Sequence, residues 1–170
     1  MELKKFIRDV PDFPKPGIIF KDITPLLRNA GAFRKAIDLL EERVRPLRPD
    51  QLLGIESRGF IFAGALAVRL GTGVLIARKP GKLPYKTDSV SYDLEYGSAT
   101  LQLHKDAVEP GQRILIVDDL LATGGTAQAC ARLVEGQKGV VCGMAFVIEL
   151  SFLSGRSRLK DYQLVNLISY

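Results

Sequence analysis

Residues 113–134, RILIVDDLLATGGTAQACARLV, bring together two groups that sort badly: adjacent carboxylates at Asp118 and Asp119 and, a few residues on, a small-residue turn suited to an anion. Gly124 and Gly125 let a backbone turn tightly and approach a ligand, while Thr123 and Thr126 add hydroxyl donors and can cap a helix. Unpaired N–H groups at a helix start, aided by the macrodipole, bind phosphate, each charge-assisted bond contributing about 1.5–3 kcal/mol. Two carboxylates beside a phosphate repel it unless they face something else, such as hydroxyls or a metal. A sugar phosphate has both ends: phosphate for the turn, and vicinal hydroxyls from which carboxylates accept. The segment therefore reads as a grip for ribose 5-phosphate. It is not a nucleotide P-loop, since GxxxxGK[ST] is absent and no lysine follows the glycines; GxGxxG is absent as well. TGGT alone is also a common structural turn, and the acidic pair is what gives it weight.

Such a grip needs elements to hold it. The apolar run 113–117 predicts a strand delivering Asp118 and Asp119 at its carboxyl end, and about Gly125 to Glu135 predicts a helix. Upstream, Phe33, Ile37, Leu40 and Val44 share one face of a helix over 32–44, stopped by Pro46 and Pro49. Short apolar strands are expected at 51–55, 73–78, 140–148 and 162–168, a buried helix at 59–71 and strand-like alternation at 98–104. Residues 79–93, with two prolines, a glycine and several charges, read as a functional loop. β-branched runs alternating with helices predict an α/β fold, a parallel sheet covered on both faces. Ligands in such sheets bind at the carboxyl ends of the strands, where the acidic pair lies.

Composition limits the partners. At 170 residues, 46% hydrophobic and 25% charged, the chain is expected to form a single globular domain, 1–170. No run reaches the ~20 apolar residues of a membrane span, and Met1 to Val10 has no apolar core of signal-peptide length, so no membrane partner and a cytoplasmic location are expected. Cys130 and Cys142 read as free buried thiols, and His104 as a surface strand residue beside Thr100 and Gln102. The net charge of +5 asks for an anionic partner, yet the cations are scattered apart from ARKPGK at 77–82. A polyanionic small molecule fits this better than nucleic acid.

ILIVDDLLATGGT resembles the phosphoribosyl pyrophosphate (PRPP) motif of the type I phosphoribosyltransferase family, most closely its adenine-using members. PDFPKPGIIFKDITPLL (11–27), IESRGFIF (55–62), RKPGKLP (78–84) and YDLEYG (92–97) resemble that family's segments in the same order. The resemblance implies a central parallel sheet flanked by helices, a small N-terminal hood over about residues 1–30 and a flexible lid loop over about 79–93. It implies that Asp118 and Asp119 hold the ribose hydroxyls and that Ala122, Thr123, Gly124, Gly125 and Thr126 wrap the 5-phosphate. Glu56, Ser57 and Arg58 fall in its pyrophosphate loop, where the peptide corresponding to Glu56–Ser57 is cis, and Arg78, Lys79 and Lys82 would face the leaving pyrophosphate. Phe20 would stack on adenine, the backbone of Ile19 would read its Watson–Crick edge, and Arg58 would lie against the other side of the ring. Lys21 stands where the family often has Arg. Glu95 would act at N7 of the base. The implied reaction converts adenine and PRPP to AMP and pyrophosphate, with Mg²⁺ carried by PRPP and no direct protein ligand to the metal, in a homodimer. Two alternatives keep the same ribose-phosphate grip: a transferase for hypoxanthine, guanine or xanthine, and a non-catalytic PRPP-sensing regulator.

Overall fold

The computed structural model describes residues 1–93 and 97–170, and these divide into two compact units, Met1–Leu39 and Leu40–Tyr170. In the first, β1 (Arg8–Val10) pairs antiparallel with β2 (Phe20–Asp22), Val10 lying opposite Phe20. Lys21 pairs with Asp9 at 2.7 Å across this ribbon. Asp22 accepts from the N–H and hydroxyl of Thr24, both at 2.8 Å, which heads α1 (Thr24–Arg28). Asn29 then accepts from the Ala32 N–H at 2.9 Å and starts α2 (Ala30–Val44), two residues before the periodicity begins. Ile37, Leu40 and Val44 are buried on one stripe, as their spacing predicts.

The second unit runs β3 (Gln51–Ile55), α3 (Gly59–Leu70), β4 (Gly73–Ala77), β5 (Thr87–Asp93), β6 (Ser98–His104), β7 (Arg113–Leu121), α4 (Gly125–Gly136), β8 (Val140–Glu149) and β9 (Leu164–Ser169). Five strands form a parallel sheet in the order β4-β3-β7-β8-β9, so β7 lies in the middle. Strand alternation assigns its faces. Leu53, Ile55, Ile114, Ile116, Met144 and Phe146 share a core cluster with Ala127, Cys130, Ala131 and Val134 of α4. Gly54, the intervening residue of β3, faces Ala63 and Phe60 of α3. One helix therefore covers each face, and central strands wet on neither side read as unbroken apolar runs.

Two expectations need correction. The segment expected to be loop over 79–93 is a strand in its second half: β5 pairs antiparallel with β6, from Thr87↔His104 to Asp93↔Ser98. Val90 and Tyr92 pack on the core while Ser89, Ser91 and Asp93 face out. That two-residue period is short and interrupted by polar residues, so it does not stand out among the prolines and charges before it. Gln137 ties this hairpin to the end of α4: its amide donates to Asp88 Oδ2 (3.0 Å) and the His104 carbonyl (2.8 Å) and accepts from the Val108 N–H (3.0 Å). His104 is half-buried against the Tyr85 ring, centroids 6.1 Å apart, and is not a plain surface residue. Cys130 is buried and Cys142 half-buried, and neither is in a disulfide.

A 3₁₀ segment, Gly155–Leu159, crosses the turn between β7 and α4. At Gly155 an added Cβ would lie 2.2 Å from the Ala122 carbonyl oxygen, a backbone atom with nowhere to go. Gly155→Ala is expected to cost about 2 kcal/mol by overpacking, a fall in Tm of about 4–8 °C for a chain of this size. Thermal unfolding of the variant checks it, and an unchanged Tm would show the crossing to be loose.

Candidate active site

The site forms where β3 and β7 end. β7 does not stop before the acidic pair, as the apolar run predicted; it continues to Leu121, with Asp118 opposite Phe146 and Leu120 opposite Ile148 of β8. Ladder pairing with β8 carries the carboxylates inside a strand, past Val117 where the pairing with β3 ends. Asp119 is buried and Asp118 half-buried. Between them, the Asp119 N–H donates to Asp118 Oδ1 at 2.9 Å. Burial and the neighbouring Asp119 charge push the Asp118 carboxyl well above its usual range. Burial also raises Asp119, against the pull of Arg58. Arg58 Nε lies 2.7 Å from Asp119 Oδ2, yet that oxygen is buried and receives no aligned hydrogen bond among the described residues. A buried acceptor left without a donor costs free energy until a donor arrives.

Beyond β7 the chain turns at Gly124, whose φ of +83° belongs to the left-handed region, and enters α4. Neither Thr123 nor Thr126 caps that helix: no side chain does, and Thr126 Oγ1 instead donates to Tyr92 Oη at 3.1 Å. The N–H groups of the first turn are left for a ligand. A cavity of about 200 Å³ lies here, lined by Asp118, Asp119, Ala122, Thr123, Gly124 and Thr126. An adjoining cavity of about 340 Å³ shares Arg58, Asp118, Asp119 and Thr126 and adds Glu56, Ser57, Lys79 and Tyr92. The Glu56–Ser57 peptide is cis, as the resemblance implies.

Glu56 turns its carboxylate to the cations that follow β4. It accepts from Lys82 Nζ at 2.6 Å, the Lys79 N–H at 2.9 Å and Arg78 Nε at 3.4 Å. Lys82's bond above all lowers its carboxyl to about 2. Arg78 is held further by a backbone ladder to Gln102, 3.0 and 2.7 Å. Arg78 and Lys82 therefore stand behind Glu56, and Lys79 is the one of these three cations that lines the cavity.

The structure thus gathers Glu56, Ser57, Arg58, Lys79, Asp118, Asp119, Ala122, Thr123, Gly124 and Thr126 around two joined cavities, with Gly125 buried at the start of α4. Ile19, 54% exposed, and Phe20, half-buried with its ring edge-on to Phe13 at 5.2 Å, belong to the first unit. Glu95 lies outside the described residues. Tyr92 lines the cavity though sequence reasoning did not single it out; its place in YDLEYG was the available signal. Among the described residues no group of three or more His, Cys, Asp or Glu side chains is gathered for a metal, and no helix is long and apolar enough to cross a membrane.

The model of the phosphoribosyl transferase domain matches residues 22–166. Adenine phosphoribosyltransferase from Pseudothermotoga lettingae is 55% identical over 170 residues, covering all of both chains. The crystal structure of adenine phosphoribosyltransferase from Thermoanaerobacter pseudethanolicus agrees with a TM-score of 0.97 at 51% identity, over 99% of this chain and 98% of that one. That from Saccharomyces cerevisiae, complexed with an imino-altritol bisphosphate and adenine, agrees at 0.91 and 42% identity over 98% and 96%.

The two kinds of carboxylate give opposite pH signatures. For Asp118 the charged form is the unfavourable one, so its cost is present at neutral pH and relieved as pH falls through the raised value toward the ordinary 3.8. Asp118→Asn is expected to raise Tm by about 2–4 °C at pH 7, the shift expected for ~1 kcal/mol, and to give no gain below the ordinary value. Loss of stability at pH 7 would contradict this. Glu56 has the reverse sign: its contribution is complete above 4.5 and lost as pH falls toward about 2. Glu56→Gln is expected to cost about 1 kcal/mol at pH 7, a solvent-screened value, and to flatten denaturant-measured stability over that acid window. A wild-type slope there would remove Glu56 as the latch.

Proposed function

This chain belongs to the phosphoribosyltransferase family, among its adenine phosphoribosyltransferases, and from that membership we propose how its site works. The reaction is a purine-salvage transfer: adenine and PRPP give AMP and pyrophosphate. The C1–O bond to pyrophosphate breaks, the C1–N9 bond forms, and the N9 proton leaves. The observation that carries the proposed site is the buried Asp119 Oδ2, an acceptor without a hydrogen-bond donor among the described residues, beside an uncapped helix start. In this reading Asp118 and Asp119 accept from the ribose hydroxyls while the N–H groups of Ala122 to Thr126 hold the 5-phosphate. Ser57, Arg58 and Lys79 face the pyrophosphate, with Arg78 and Lys82 behind them. Glu56 serves by holding those cations, since its own charge repels a polyanion.

Mg²⁺ enters as part of the substrate, Mg·PRPP, a hard cation among phosphate oxygens that neutralises charge the few cavity cations leave over. The proposal keeps residues 1–30 as a hood supplying Ile19 and Phe20 to adenine, with Arg58 on the ring's other side. It keeps 79–93 as a lid whose closure excludes water from the oxocarbenium-like sugar. Glu95, next to the β5–β6 hairpin in sequence, is proposed to act at N7 and to shape the nucleophilicity of N9. A homodimer in the cytoplasm completes the proposal. Ile61 and Val68, two turns apart on α3, stay 43% and 83% exposed and supply an apolar face of the kind interfaces use.

Base choice tests this reading. The Ile19 backbone can accept from the 6-amino group and donate to N1, whereas hypoxanthine offers an acceptor and a donor in the opposite places. Two groups left unpaired in the closed site cost about 1–3 kcal/mol each, so at least about a thirtyfold preference for adenine is expected. Glu95→Gln should lower turnover roughly ten- to a thousandfold with the preference kept. Rates with adenine, hypoxanthine and guanine at saturating Mg·PRPP decide both points. Comparable wild-type rates on adenine and hypoxanthine would sink the backbone reading, and unchanged turnover in the variant would remove Glu95.

A further inference from the structure

The proposed 5-phosphate turn carries no side-chain cation of its own. From Leu120 to Ala127 every residue is uncharged, and the pair just before it is acidic. A helix start offers only about half a unit charge, against the nearly two that a phosphate monoester carries at neutral pH. Arg58, the cation lining this cavity, is already at Asp119.

The 3₁₀ segment Gly155–Leu159 brings another. Leu159 is fully buried beneath it, and Gly155 passes against the Ala122 carbonyl. An added Cβ at Gly124 would in turn lie 2.7 Å from the Gly155 carbonyl oxygen. Backbone against backbone at two places sets the position of the segment on the turn. Arg158 is thereby brought to the head of α4: its Cβ lies 3.5 Å from where a Gly124 Cβ would stand, and its Nη1 lies 3.5 Å from where a Gly125 Cβ would stand. Its carbonyl accepts a long bond from Gln128 Nε2 at 3.5 Å. Its guanidinium makes no ion pair or hydrogen bond among the described residues, whereas Arg156, two residues earlier, is pinned to Glu149 at 2.7 Å. The two arginines thus differ: Arg156 closes a structural pair, and Arg158 points its charge at the turn.

We propose that Arg158 is the side-chain cation for the ribose 5-phosphate group, completing a site whose other donors are backbone N–H groups. This rests on the reading of Ala122 to Thr126 as the 5-phosphate turn. A planar guanidinium at the rim engages phosphate oxygens that face away from the helix, which backbone donors at the helix start do not reach.

The test compares wild type with Arg158→Met, which keeps the aliphatic stem, and Arg158→Lys, which keeps the charge. Isothermal titration with ribose 5-phosphate and, separately, with Mg·pyrophosphate reads the two ends of the site. Arg158→Met is expected to weaken ribose 5-phosphate about tenfold, the low end for a charge-assisted bond at an exposed position. Pyrophosphate should change less than twofold, and the kinetic loss should fall on KM for PRPP and spare kcat. Arg158→Lys should recover part of the affinity, and added salt should narrow the gap between variants. Equal ribose 5-phosphate affinity in wild type and Arg158→Met would overturn the inference while leaving the proposed turn standing. A parallel loss of both ligands would also overturn it, as a fold defect. A wild type that binds pyrophosphate but no ribose 5-phosphate would overturn the turn itself.

Discussion

Two carboxylates sit side by side in the middle strand of the sheet, where both faces are covered and little water reaches them. Asp118 and Asp119 are raised by that burial and, for Asp118, by its neighbour. Burying a charge without a partner is costly enough that proteins supply one or lose the charge. Here the supply is partial: Asp118 Oδ1 accepts a backbone N–H, while Asp119 Oδ2 has only an imperfectly aligned guanidinium. The remaining deficit is what supports the proposal that the site takes a ligand bringing hydroxyl donors. Arg58 at the turn after β3 reaches Asp119 because β3 lies beside β7 in the sheet.

A second acid solves a different problem. Glu56 has three donors and a carboxyl lowered to about 2, so it is a satisfied anion and contributes stability. By holding Arg78 and Lys82 it fixes the start of the segment that leads into the hairpin, and it leaves Lys79 turned to the cavity. A polyanion that reached Lys82 would have to compete with Glu56 for it. The same residue thus orders the free site and, under the proposed pyrophosphate role, would limit how tightly the leaving group is kept.

The central strands were legible because they are buried on both faces and so appear as unbroken apolar runs at 52–55 and 114–117, while the edge strand β4 is as apolar in sequence though Val74 and Ile76 stay exposed. The proposed ribose grip could be read as one segment because its residues are consecutive. What escaped was whatever depended on pairing between distant segments. β5 hides its period under serines and is a strand because β6 lies beside it. The end of β7 was misplaced because Asp118 and Asp119 look like the end of a strand, while their backbone keeps the ladder with Phe146 and Ile148 of β8. Thr126 was read as a cap because its type favours capping, but Tyr92, far away in sequence, takes its hydroxyl. Ionisation followed the same rule: nothing local tells that Glu56 is satisfied and Asp118 is not.

This division explains why the anion turn has no lysine or arginine within it. A cation inside LLATGGT would stand one turn from Asp118 and Asp119 and would pair with them first. It would then satisfy the acceptors that the proposed ribose hydroxyls need, and the phosphate would meet a neutralised cation. Cations carried on separate elements avoid this, because each is held by its own anchor: Arg58 after β3, Lys79 after β4 through its N–H to Glu56, and Arg158 on the segment locked by Gly155. Lys79 and Arg158 are placed by backbone packing, and Arg58 lies 2.7 Å from Asp119 Oδ2. The cost is that the cations' positions depend on close backbone crossings such as Gly155 over Ala122, which tolerate no added atom. Arg58 already meets the acidic pair in the free protein, whereas Lys79 and Arg158 are held off it by their own anchors and stay available to the proposed ligand.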